Sequence, residues 1–308
     1  KDANEKGLLD AKPMLKDFDY RGAVAFLLYV ALWARPGIHT VVCMLAKYSI
    51  PERTGSYHIN TAKKVFGYLK RFKHRGRVFT NKPRENVGVL NKYRGFVDAQ
   101  FGGTVTADTI PKLEDDSATI AAGKKPNRSC KPSRVGNCFF YNGAIVSFKT
   151  TTTTFTVMHS TEAELCGMCD AAIKSIMLNS VAAQFGENVD LQYPIRYESH
   201  SDIEAIQGDC KPALMAVKSL NVTKATMALP HLDTRLQKLR GLVLRRLVRF
   251  IHVPGDYNPA DLFTKLVTKV VWDKLVPMIL NLNDDHSFLP RRGGKSDDDE
   301  LDLNFAYT

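Results

Sequence analysis

The sequence predicts an α/β fold, a mixed sheet with helices packed on it, preceded by a helical segment. Three observations carry this. Residues 20–34, 37–48 and 54–74 are apolar at helical spacing, with "RPG" (35–37) breaking the first two. From residue 92 the order is strand, strand, strand, helix, strand, helices, strand, helix, which suits a meander continued by alternating strands and helices. Within the meander, "NCFFYNGAIVSFK" (137–149) sets two apolar runs around Asn142-Gly143, a hairpin signal.

Each element has its reason. "AVAFLLYVALWA" (23–34) is twelve residues long, too short to span a bilayer, and reads as a core helix. In "AKKVFGYLKRFKHR" (62–75), Val65, Tyr68, Leu69 and Phe72 fall at i, i+3, i+4 and i+7, ringed by Lys63, Lys64, Lys70, Arg71 and Lys73. That basic side suits a solvated helix face and a phosphate-contacting face equally. "KYRGFVDAQ" (92–100) reads as a strand carrying an acid near its end, and the polar stretch 103–132 as a long loop or insertion. The Thr-rich "TTTTTFTVMH" (150–159) is β-prone and predicts a third strand. Then come a helix over 161–185, a strand at "YPIRYES" (193–199), a short helical stretch, a helix over 230–243 and a strand at "RRLVRFIHV" (245–253). A final helix spans 258–280 with Pro259 in its first turn. The expected division is a helical segment over 1–85, a sheet domain over 86–285, and an acidic tail over 286–308.

Charge narrows the partners. The 308 residues carry a net +11, and "SDDDELD" (296–302) alone holds five acids. Setting those aside leaves 43 bases against 27 acids on residues 1–296. So basic a body suggests a polyanion, most often nucleic acid. No basic amphipathic helix with a clean apolar face argues for a membrane surface. The six cysteines do not read as a secreted disulfide framework. Cys166 and Cys169 lie one helical turn apart and read as core-facing, and Cys130 and Cys138 are badly spaced to complete a zinc site with them.

The acids are the chemistry-bearing candidates. In "MHSTEAELCGM" (158–168), Glu162 and Glu164 sit where a helix begins. As dipole-complementing acids behind a Ser160 or Thr161 cap they would be exposed and of little consequence. Asp98, Glu164, Asp202 and Asp261, however, each stand at an element boundary of one sheet-centred unit. Converging carboxylates repel unless a cation lies between them. Mg²⁺ takes such oxygen ligands, and two ions about 4 Å apart suit phosphodiester cleavage.

Seven ordered motifs make the chain resemble copia-type LTR retrotransposon Pol polyproteins. Residues 92–280 are similar to their ribonuclease H domain, and 18–80 to the segment joining it to reverse transcriptase. The motifs are "DYRGAVAFLLYVALWARPGI" (19–38), "AKKVFGYLK" (62–70), "GFVDAQFGG" (95–103), "KPSRVGNCFF" (131–140), "STEAEL" (160–165), "PHLDTR" (230–235) and "HVPGDYNPADLFTK" (252–265). The resemblance implies an RNase H-like five-stranded sheet with Asp98, Glu164 and Asp261 as metal ligands and Glu162 as an accessory neighbour. Its third acid stands in an Asp–polar–polar–Ser-Ala-Ile context. Alignment on Ala205-Ile206 puts Ser201 there, and alignment on Tyr197 puts Ser199. Asp202 fits with a one-residue deletion, and Glu198 with a shift the other way. Gln100 replaces another family acid, the 103–132 insertion is long for the family, and there is no Tyr-x-Asp-Asp polymerase motif.

Three functions compete. The first is an RNase H-type endonuclease cutting RNA in RNA–DNA hybrids, with Asp98, Glu164, Asp202 and Asp261 on Mg²⁺ or Mn²⁺ and His252 or His200 assisting proton transfer. The second is a domesticated, inactive RNA-binding component of a ribonucleoprotein such as an organellar ribosome. It would grip RNA through Lys63, Lys64, Arg71, Lys73, Arg245, Arg246 and Arg249. The third is a protein-binding module with the acidic tail as docking segment. The expected setting is intracellular: cytoplasm or nucleus for a retroelement product, with the mitochondrion open to a domesticated copy.

Overall fold

The structure, a computed structural model, describes residues 14–79, 93–102, 133–141, 143–153, 157, 159–185, 205–218 and 230–282. Thus 103–132, the stretch 193–199 and the acidic tail lie outside the described residues. Helices α1 (Tyr20–Trp33), α2 (His39–Ala46) and α3 (Ser56–Arg71) come first. Strands β1 (Tyr93–Gln100), β2 (Arg134–Tyr141) and β3 (Ala144–Thr152) follow, then α4 (Ser160–Gln184), β4 (Ala205–Gly208), α5 (Lys211–Lys218), α6 (Pro230–Leu244) and β5 (Arg249–His252). Two helices close the described chain, α7 (Asp261–Thr264) and α8 (Lys269–Leu280).

The strands form one five-stranded sheet in the order β3-β2-β1-β4-β5. β1 and β4 pair in parallel, as do β4 and β5. β2 and β3 are joined through residues 142–143, a connection short enough only for antiparallel strands, and Gly143 has φ +83 as a tight hairpin turn requires. This is the α/β architecture that the sequence leads one to expect, a mixed five-stranded sheet with flanking helices, preceded by a helical segment.

Two expectations are corrected. The Thr-rich run makes no separate strand among the described residues: Thr150–Thr152 complete β3, and the Thr153 N–H donates to the Ser133 carbonyl at 2.8 Å. The single helix expected over 258–280 is two helices, α7 and α8, separated at residues 265–268. Thr268, in extended conformation (φ −64, ψ 160), precedes the first residue of α8 and restarts the helix there.

By contacts the chain forms two compact units. One comprises Lys1–Tyr93, Cys138–Phe148 and Asp261–Thr308, and the other Arg94–Asn137 and Lys149–Ala260. In the first, Asp19 caps α1 by accepting from the Gly22 N–H at 2.9 Å. Val24, Leu27 and Ala31 then face Val42, Ile59 and Val65 in a common core. The Tyr20 hydroxyl donates to the Leu45 carbonyl (2.9 Å), and the Thr40 hydroxyl to the Leu262 carbonyl (2.6 Å). Arg35, buried at the "RPG" break, donates to the Phe72 carbonyl at the end of α3, a cation at the negative end of a helix.

In the second unit α4 packs against β4, α5 and α6. By length and composition α4 is apolar enough to cross a membrane, yet Ala163, Leu165, Met168, Ala171 and Ala172 are buried within the fold. Gly167 explains the closeness of its packing: a Cβ there would stand 2.9 Å from Val97 Cγ2 and 3.0 Å from Val135 Cγ1. Cys169 is buried as expected, its thiol 3.8 Å from the Arg235 carbonyl, and burial pushes that thiol up to about 11, away from the thiolate a metal would need.

His39 gives the first unit a pH-sensitive core. It is buried against Phe148 and Phe263, with ring centroids 5.1 and 6.3 Å away, and burial lowers its pKa from 6.5 to about 4. Between those values the unfolded chain binds the proton that the folded chain refuses. Stability is therefore full above pH 6.5 and falls as pH drops through about 4, by roughly 3 kcal/mol at the limit. Thermal melts from pH 7 to 4 should show this decline, and a His39→Gln variant should lose that part of the slope.

Candidate active site

Asp98 is the sixth residue of β1, and the parallel register of β1 with β4 decides what stands beside it. Gly95 is level with Ile206 and Phe96 with Gln207. Continued by two residues, the same register sets Asp98 level with Asp209, immediately beyond the end of β4. Neighbouring strands lie about 5 Å apart, so the two acids meet by virtue of the pairing alone. Glu164 comes from the second turn of α4, one helical turn before the Gly167 contact that holds the helix against Val97. One carboxylate oxygen from each of Asp98, Glu164 and Asp209 lies within 4.8 Å of the others.

The surroundings hold these acids in place. Asn258 is fully buried; its Nδ2 donates to the Val97 carbonyl at 2.9 Å and its Oδ1 accepts from the Ala260 N–H at 3.2 Å. That clamp fixes the turn Gly255–Tyr257 beside β1. The Val253 N–H also donates to the Gly208 carbonyl at 3.0 Å. At Gly255 a Cβ would come 3.2 Å from Asp209 Oδ2, so the missing side chain leaves room for the carboxylate.

Glu162 and Glu164 are 1% and 7% exposed and Asp98 is 3% exposed. Burial at this level overturns the reading of the two glutamates as exposed, dipole-complementing acids. Neither Ser160 nor Thr161 caps α4: His159 precedes its first residue and makes no side-chain capping bond. Burial first, and then the charges of Glu164, Asp209 and Asp98, push the neighbouring Cys210 thiol up against the opposing effect of a backbone hydrogen bond from Ala213. The thiol therefore stays protonated, and the donor set is carboxylate oxygen. Such a set fits a hard divalent cation, Mg²⁺ or Mn²⁺, better than zinc.

Of the four acids expected from the sequence, the structure brings Asp98 and Glu164 together and adds Asp209. Asp202 lies outside the described residues, as do Glu198, Ser199, His200 and Ser201. Asp261 belongs to the other compact unit, where it opens α7, buried, with Oδ1 3.0 Å from Lys265 Nζ. His252 is exposed at the end of β5, level with Gly208. Sequence reasoning missed Asp209, although a signal was available. "DCKPAL" (209–214) fits the Asp–polar–polar–small–Ala–aliphatic register without a gap, with Pro212 for Ser and Leu214 for Ile.

The basic candidates are also placed. Lys63, Lys64 and Arg71 are exposed on α3, and Lys73 is exposed just beyond it. Val65 and Tyr68 of the expected apolar stripe are buried. In the other unit, Arg245 and Arg246 are exposed after α6, and Arg249 is half-buried at the start of β5.

No protein-family model matches the chain. It is 22% identical over 261 residues to the retrovirus-related Pol polyprotein from transposon TNT 1-94 of Nicotiana tabacum, a match over 85% of this chain. The chain is similar to a retrotransposon Pol polyprotein. That match agrees with the copia-type Pol ribonuclease H resemblance carried by the seven motifs, and the chain spans 16% of the polyprotein's length. Among solved structures, it is similar to an RNase H1 isolated from compost by a metagenomic approach (TM-score 0.36, 15% identity, 60% of this chain and 98% of that one). It is also similar to RNase H1 from Halobacterium salinarum (TM-score 0.30, 16% identity, 56% and 94%). A further similar structure is an LC11-RNase H1 in complex with an RNA/DNA hybrid (TM-score 0.34, 13% identity, 56% and 94%).

The space at Gly255 is open to test. Gly255→Val should drive the side chain into Asp209 Oδ2 and displace one carboxylate of the three while the sheet survives. The expected outcome is an unchanged circular-dichroism spectrum with loss of divalent-cation binding, read by calorimetric titration of Mn²⁺.

Proposed function

We propose that the chain is an RNase H-type endonuclease that hydrolyses the RNA strand of RNA–DNA hybrids. The observation that carries this is the meeting of Asp98, Glu164 and Asp209. Anchored on Ala205-Ile206 or on Tyr197 the third acid had no ungapped position, and a site short of one ligand suits a domesticated scaffold. With Asp209 level with Asp98, three acids are present, two of them buried and one beside a tailored glycine.

Each group has a role in this reading. Asp98, Glu164 and Asp209 hold the divalent cation, which when bound supplies charge neutralisation and an activated water for phosphodiester hydrolysis. Asn258 and Gly255 position β1 and Asp209. Phosphates are gripped by Lys63, Lys64, Arg71 and Lys73 in one unit and by Arg245, Arg246 and Arg249 in the other. The similarity to a Pol polyprotein and to RNase H structures supports nucleic acid as the partner.

Two measurements test this. In Mg²⁺ or Mn²⁺ the chain should cleave a labelled RNA–DNA hybrid. Asp209→Asn and Glu164→Gln should each cost at least about 100-fold, the upper end of what loss of a mere supporting partner costs at a metal site. Asp202→Asn should leave the rate near that of the parent chain. Absence of cleavage with salt-sensitive binding retained would instead support the inactive scaffold. Separately, replacing Lys63, Lys64, Arg71 and Lys73 together by Gln should reduce the slope of log affinity against log salt by about 3 to 4, close to one per phosphate contact.

A further inference from the structure

α1 carries an aromatic row that the core does not use. Phe26, Tyr29 and Trp33, at i, i+3 and i+7, are 55, 62 and 67% exposed, opposite the buried Val24, Leu27 and Ala31. Phe26 stacks on Phe66 of α3, centroids 6.1 Å apart and planes 13° from parallel. Exposed Lys63 and Lys70, one turn on either side of Phe66, therefore flank the row. At its far end Arg77 donates to the Trp33 carbonyl and lies 5.6 Å over the ring of exposed Phe79. An exposed apolar stripe of this length edged with cations marks an interaction surface.

The described chain ends beside that stripe. The Val78 N–H donates to the Leu280 carbonyl at 3.0 Å, and Asn281 Nδ2 donates to the Val78 carbonyl at 3.1 Å. The last described residue, Leu282, thus follows a segment tied to the neighbour of Arg77. Further along the sequence stands "DDDELDLNFAYT" (297–308): five acids by residue 302, with Leu301, Leu303, Phe305 and Tyr307 at alternate positions. Alternation gives an extended strip one apolar edge, repeating about every 7 Å, close to the roughly 5 Å steps between aromatic residues along α1. Residues 283–296 can reach about 45 Å when extended, about twice the length of α1.

We propose that residues 297–308 dock on this face of α1 and α3 in the same chain. Leu303, Phe305 and Tyr307 lie along Phe26, Tyr29 and Trp33, and the acids face Lys63 and Lys70. Charge complementarity and the place where the described chain ends select this occupant. Docked there, the acids compete with any polyanion for that side of α3. That consequence rests on the nucleic-acid reading; the docking itself does not.

The test is zero-length carbodiimide coupling of the full chain, mixed from ¹⁴N and ¹⁵N preparations and read by mass spectrometry. The expected result is same-isotope crosslinks from residues 297–302 to Lys63 or Lys70, in excess of those to the exposed Lys218 and Lys238 of the other unit. Phe305→Ser with Tyr307→Ser keeps every charge and lies outside the described fold. With both aromatics gone, the yield should fall at least about tenfold, more than the loss of an energetically minor contact would cost. Tyr29→Ser with Trp33→Ser should do the same. Crosslinks spread evenly over all lysines, crosslinks only between isotopes, or a yield unmoved by the Phe305/Tyr307 pair would each overturn the proposal.

Discussion

Three carboxylates gathered within 4.8 Å are the constraint around which this fold is arranged. Like charges so close repel, and two of these lie where water screens them poorly. Left to themselves, side chains would swing apart, so the backbone must hold them together. It does so through rigid means: a parallel strand register for Asp98 and Asp209, and a glycine-mediated helix contact for Glu164. The side-chain contribution, Asn258, bonds backbone to backbone across the sheet's working end. A site built this way keeps its shape at the cost of tolerance: a methyl group at Gly167 or Gly255 would crowd its support.

The two glycines work in opposite directions on the same cluster. Gly167 brings an element in, because the absence of a side chain lets α4 settle onto Val97 and Val135. Gly255 keeps an element out of the way of Asp209 Oδ2. Neither has a positive φ, so close approach, not backbone freedom, explains both.

Much of the fold was legible in the sequence because burial imposes periodicity. The stripe Val65–Tyr68 on α3, the hairpin around Gly143 and the boundaries of α4 follow directly from it. Asp98 and Glu164 were legible for the same reason, standing at the edges of strongly patterned elements. Asp209 was not. β4 has four residues, Ala205–Gly208, too few to show alternation, and it ends in a glycine that reads as a breaker. Ala205-Ile206 then offered a false anchor for the Ser-Ala-Ile context, eight residues before Ala213-Leu214. The break between α7 and α8 was equally hidden, since "KLVT" (265–268) contains neither Gly nor Pro. Only tertiary packing, such as the Thr40 bond to the Leu262 carbonyl, marks α7 as an element apart.

Asn258 has a chemical consequence that its hydrogen bonds do not express. Asparagine side chains age by cyclising onto the following backbone nitrogen, a reaction that ends in aspartate and would replace the donor on Val97 with a repelling oxygen. Here the following residue is Pro259, whose nitrogen carries no hydrogen to give up. The buried amide is thus shielded from the commonest spontaneous damage to its residue type, and the clamp beside the acidic cluster is durable by covalent structure as well as by fold.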